Sequence, residues 1–238
     1  LSGFLRSVQG FKLGLAAIPN ATQTVNTLLE TDLPSVAKGL KAVFTSEGRR
    51  FAIEAGAAID PILHESVREM VSGSRALETY LKAVGFTAVE RANRIIATNA
   101  GAVYASRLLD QVKRNPKDKR ARAKLTELGI DVDAALQRGK LTGDDALMAG
   151  KKISDVTQFR ARPQDLPEFA SMPWGKVFFQ FKSFAYQQTG FMKRSIYDEL
   201  KAGHFGRGFR NLLIVALVFP LAGEAVKSLR ALLTGRDR

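Results

Sequence analysis

The feature that most constrains this chain is a strong helical repeat with no strand repeat beside it. Between Glu78 and Arg114, apolar residues return three and four apart: Leu81, Val84, Ala88, Ile95, Val103, Leu108, Leu109 and Val112. Arg91, Arg94, Arg107 and Lys113 fall largely on the other side. That spacing gathers one apolar face and predicts a long amphipathic helix with a weak point at Gly85. Asn115-Pro116 ends it, because a residue before proline is steered out of the helical region. Alternating β-branched residues are almost absent and no internal repeat is found. The expected fold is therefore all-α: an elongated multi-helix array.

The same reading extends to the rest of the chain. Phe4, Val8, Phe11 and Leu15 are helically spaced up to Pro19-Asn20. Val25 to Lys41 and Gly48 to Met70 read as helical regions interrupted by Pro34 and Pro61. Leu125 to Met148 reads as short helices punctuated by Gly129, Gly139 and Gly143. Thr142-Gly143-Asp144-Asp145 has the form of a helix start, with acids where the helix dipole favours them. Pro163, Pro167 and Pro173 predict an extended linker. Trp174 then opens a helix to about Lys201, striped by Val177, Phe181, Phe184, Gln188 and Phe191. Phe178, Phe181 and Phe184 are expected in a helix–helix core. Gly203, Gly206 and Gly208 break this helix. An apolar run, Leu212 to Gly223, follows, and a last amphipathic turn uses Leu229, Leu232 and Leu233. Three regions result: 1–75, 76–158 with a basic patch, and 159–238, which could form one continuous domain.

Charge narrows the partners. Lys and Arg total 36 against 23 acids, a net charge of +13 that favours nucleic acid or an anionic bilayer face. Lys113, Arg114, Lys117, Lys119, Arg120, Arg122 and Lys124 form the candidate polyanion-binding patch, although such a run also suits a solvated helix surface. Phe159-Arg160 and Phe181-Lys182 interleave aromatic and basic residues, a mixture that can stack bases but is also common in helical cores. With no cysteine, thiolate catalysis, disulfides and iron–sulfur ligation are excluded. His64-Glu65 lacks a second histidine at zinc-protease spacing, since Arg68 stands there. Gly203 to Gly208 has the wrong glycine order for a phosphate loop. No catalytic residue, metal ligand, cofactor site or small-molecule substrate is expected.

The apolar run needs sizing. A spanning helix takes about 20 apolar residues; this run ends at Glu224 and contains Pro220. Three readings stay open: a buried core helix, an interfacial or oligomer-dependent membrane segment, and a true span. The candidate membrane or oligomer contacts are Leu212, Leu213, Ile214, Val215, Leu217, Val218 and Phe219. Arg207 and Arg210 before the run and Lys227 and Arg230 after it give no orientation.

An ordered series then carries a resemblance. Leu128-Gly-Ile-Asp131 precedes Thr142-Gly-Asp-Asp145; Thr157-Gln-Phe-Arg160, Pro163 and Asp165-Leu-Pro167 follow; Pro173-Trp-Gly175, Phe179-Gln-Phe-Lys-Ser-Phe184 and Ala185-Tyr186 complete it. Asn93-Arg94, Gly101 to Tyr104 and Phe11-Lys-Leu-Gly-Leu-Ala extend the likeness upstream. The series resembles the large polyvalent protein-associated domains of giant phage and prophage polypeptides, some similar to internal virion or DNA-ejection proteins. The resemblance implies a non-enzymatic segment of a particle-packaged protein, found in the virion and then at the host envelope or in the host cytoplasm. Its partners would be other domains of the same polypeptide, further copies, membrane and DNA. The start at Leu1 fits a piece of a longer polypeptide. The alternative is a soluble helical module linking enzymatic domains of a giant phage or mobile-element polyprotein, with Leu212 to Gly223 buried in its own core.

Overall fold

A long central helix organises the array. The computed structural model describes residues 23–56, 86–158, 183–218 and 220–221. Their regular structure is helical throughout, with no strand among the described residues. Helix α1 covers residues 23–30. It is followed by α2 (Leu33–Ala42), α3 (Ser46–Glu54), α4 (Phe86–Arg114), α5 (Lys119–Glu127), α6 (Val132–Arg138) and α7 (Gly143–Thr157). Helix α8 (Ser183–Met192) runs on through a π-helical turn, Lys193–Asp198, and a last α-turn, Glu199–Lys201. Helix α9 (Phe205–Leu213) continues into a second π-helical turn, Ile214–Val218.

Helix α4 is the axis, with α2, α3, α5, α6 and α7 packed on it. Its C-terminal half supplies Ala105, Leu108, Leu109 and Val112 to a core completed by Leu125, Leu128, Ile130 and Ile153. Nearer its start, Ile96 and Ala100 meet Val36 of α2, and Ile95 meets Ala42 and Ala52. The basic side expected for this helix is not solvated along its length. Arg94 is only 2% exposed and pairs with Glu90 one turn earlier, Nε to Oε1 2.8 Å. Helices cover α4 on more than one side, so an interior charge needs a partner, and the four-residue spacing supplies one.

Small residues set how close the helices come. A Cβ on Gly101 would lie 2.8 Å from Ile153 Cβ and 2.9 Å from the Ala149 carbonyl oxygen. One on Gly150 would lie 2.6 Å from the Thr98 carbonyl oxygen. The α4–α7 crossing therefore brings backbone against backbone, and dispersion between small side chains replaces interdigitated large ones.

The ends of the helices follow their sequence signals. Asp118 accepts from Ala121 N–H (2.9 Å) at the start of α5, and Asp131 accepts from Ala134 N–H (3.0 Å) at the start of α6. Thr142 and Asp145 form a reciprocal capping box on α7, at 3.1 and 2.9 Å. Gly129 and Gly139 take positive φ in the turns after α5 and α6. The 25–41 region is interrupted next to Pro34: the chain leaves the helix at Thr31 and Asp32, and Pro34 sits in the first turn of α2 behind the Asp32 cap, where a missing N–H costs nothing. Gly143 opens α7 directly after Thr142, at the expected helix start.

Several expectations lie outside the described residues: the helix from Phe4 to Leu15, Gly85, the proline-rich linker, Phe178 and Phe181, and the terminal Leu229, Leu232 and Leu233. Phe191, on the same stripe, is buried with its neighbour Gln188.

Candidate functional site

Helix α9 is built inside out. After the turn at Gly203, whose φ is +79°, it folds back on the tail of α8. Gly208 allows the approach, since a Cβ there would meet Leu200 at 2.5 Å. The side facing the body is polar. Arg210 donates to the carbonyls of Thr31 (Nη1, 3.1 Å) and Leu29 (Nη2, 2.9 Å), and Arg207 Nη2 donates to the carbonyl of Glu30 at 3.3 Å. These carbonyls close the end of α1, where the last C=O groups lack N–H donors from their own helix and carry partial negative charge. Asn211, fully buried, donates to the Ser195 carbonyl (2.8 Å) within the first π-turn and accepts from Arg210 (2.8 Å). Burial and the neighbouring Arg207 hold the Arg210 pKa below its ordinary value.

A chain of charges reinforces this attachment. Lys124 of α5 bonds to Glu30 of α1 and to Glu127 at 3.0 Å. Glu30 lies 3.8 Å from Arg207, and Arg207 is 3.3 Å from Glu199. Glu199 also meets Arg120 at 3.5 Å and His204 Nδ1 at 2.9 Å. Burial pushes the Lys124 ammonium down, but the charge and hydrogen bond of Glu30, aided by Glu127, outweigh it and raise the pKa.

The apolar side of α9 faces away from these contacts. Phe205, Phe209, Leu212, Leu213, Leu217 and Leu221 are between 42% and 68% exposed. They recur at helical spacing down one face. Of the predicted contact residues, Leu212, Leu213 and Leu217 are thus at the surface, while Ile214, Val215 and Val218 are half-buried. Phe219 lies outside the described residues. Leu212, Leu213 and Leu217 turn outward where the inner side of α9 is committed to guanidinium and amide hydrogen bonds. No described helix is long and apolar enough to cross a membrane.

The basic patch divides. Lys113 is tied to Asp110 (3.1 Å) and the Gly139 carbonyl, Arg114 to the Asp110 carbonyl (3.3 Å), and Arg122 to Asp133 (2.9 Å). Arg120 reaches Glu199. Lys124 does not face the polyanion side at all; at 8% exposure it belongs to the interior charge chain. Lys117 and Lys119 are exposed and make no side-chain hydrogen bond or ion pair among the described residues. They stand at the corner between α4 and α5.

Sequence reasoning missed a buried amide cluster. Asn26 of α1 and Gln188 of α8 exchange hydrogen bonds at 3.0 and 2.9 Å, and Asn26 also donates to the Thr157 carbonyl at 3.4 Å. Gln188 stood within the aromatic stripe, and its polarity there was the available signal. Nothing in the described residues gathers three or more metal-binding side chains, and His64 lies outside them. A cleft of about 510 Å³ between α2, α3 and α4 is lined by Lys38, Lys41 and Arg50 together with Glu47 and Glu54.

Comparison with family models, curated proteins and solved structures returns no match for this chain.

Proposed function

We propose that this chain is a non-enzymatic helical segment of an ejection-type internal virion protein of a large phage, and that it assists genome delivery through surface contact. One observation carries the reading: α9 turns its apolar side outward and secures its polar side to α1, leaving an apolar face for something outside the array. The net charge of +13 and the unpaired Lys117–Lys119 corner add a surface for polyanions. The likeness of Thr142 to Asp145 and Thr157 to Tyr186 to the large polyvalent protein-associated domains supplies the setting, first in the particle and then at the host envelope.

Surface action is tested with the 238-residue chain in two parallel assays. Vesicle flotation reads membrane contact, and a mobility shift with duplex DNA across a salt series reads polyanion contact. Retention on vesicles together with salt-sensitive DNA binding is the expected result. A chain that ignores both at low salt overturns the proposal. A linker module would instead need the α9 leucines buried in its own core, and their exposure weighs against it.

A further inference from the structure

We infer that the outer face of α9 takes an anionic lipid surface and lies in its plane; the inference rests on the surface-acting role proposed above and names the occupant of this face. Length decides between lying and crossing. The uncharged stretch between Arg210 and Glu224 holds thirteen residues, roughly 20 Å if helical, well short of a hydrocarbon core of about 30 Å. A one-sided helix of this kind, carrying Phe and Leu, sinks into the boundary between headgroups and acyl chains instead of spanning it.

The second leg of the hairpin supports the same occupant. Lys193, Tyr197 and Lys201 follow at four-residue intervals along the tail of α8, with Arg194 beside them, and all four are exposed. Tyrosine with lysine and arginine is the composition that settles at headgroup level, ring toward the apolar layer and charges toward phosphate. Arg207 and Arg210 cannot serve this purpose, since both are spent on the α1 carbonyls. They do the complementary work of fixing α9 so that its apolar side cannot roll inward.

Charge separates lipid from a second copy of the chain. A copy docking on this face would bring another +13 and its own Lys193, Arg194 and Lys201, whereas an anionic bilayer meets the same cations with attraction.

The test is flotation of the 238-residue chain with vesicles of phosphatidylcholine alone or mixed with phosphatidylglycerol. The chain should float with the anionic vesicles and stay behind with the neutral ones. Replacing the cations, K193Q/R194Q/K201Q, should weaken anionic binding roughly a hundredfold, because each surface cation contributes about fivefold. F209D/L217D should abolish binding at every salt concentration while leaving the melting temperature unchanged. If F209D/L217D unfolds the chain, the face is covered by the chain itself and the inference fails. Equal binding to both vesicle types, or concentration-dependent dimers lost in F209D/L217D without vesicle binding, also overturns it. DNA binding through Lys117 and Lys119, measured in parallel, separates the two levels: loss of vesicle binding alone removes this inference, and loss of both removes the surface-acting role.

Discussion

At the scale of single residues, the interior charges are the sharpest points of the account. Lys124→Ala leaves Glu30 in a largely dry site, and removing one member of such a pair costs about 3 kcal/mol, measurable by urea unfolding. The raised Lys124 pKa gives its stabilisation a definite pH window. It is complete below the unfolded value near 10.4 and is lost as pH rises through the higher folded value. The capping aspartates act at the other end of the scale. Hydrogen bonds from the α5 backbone and from Gln111 lower the Asp118 pKa, so its stabilisation is present above about 3.9 and disappears as pH falls through the depressed folded value. Asp118→Asn, which still caps but does not titrate, should therefore show a shallower loss of stability between neutral and acid pH than the unaltered chain. An equal slope would contradict this assignment. The Thr142 cap was legible from local spacing alone, because it bonds three residues ahead; the Asp118 and Asp131 caps obey the same spacing and emerged only with the helix boundaries. Lys124 was not: within a Lys/Arg run it reads as solvated, and its partner lies 94 residues earlier in the chain.

Among elements, the α4–α7 crossing and α9 rest on opposite arrangements. At the crossing, Gly101→Ala places a methyl group against Ile153 and the Ala149 carbonyl and should cost about 1–3 kcal/mol. Gly190→Ala in α8 meets nothing within 4 Å and should stabilise by roughly 0.5–1 kcal/mol. Chemical unfolding of both variants checks the contrast, and similar effects would contradict the close approach. The existence of α4 and its stop at Arg114 could be read from periodicity and Asn115-Pro116. Its burial on more than one side could not, since one helix's repeat does not count the helices that will pack on it. Helix α9 shows the same limit differently. Its apolar run was evident, but which side turns outward depends on Arg207 and Arg210 finding the end of α1, about 180 residues away in sequence, and on Asn211 reaching the Ser195 carbonyl.

For the whole molecule, the contrast lies between an aliphatic core around α4, crossed by buried polar contacts, and the apolar side chains that α9 holds at the surface. The Asn26–Gln188 pair and the chain from Lys124 to Glu199 tie helices together by directional bonds, while the Arg94–Glu90 pair neutralises a buried charge within α4. Such contacts fix which way each helix faces, and in α9 they leave the leucines outside. The charge balance and the all-α architecture were legible in composition and periodicity. The inverted helix emerged only in the assembled array. The most direct measurement uses fluorescence, since Trp174 is the sole tryptophan. In a W174F background, L217W and K140W place one reporter on the α9 face and one on an exposed control site. With vesicles of brominated anionic lipid, L217W emission should shift to the blue and be quenched while K140W emission stays unchanged. Emission from L217W that is the same with and without vesicles, in a chain that remains folded, would contradict the account.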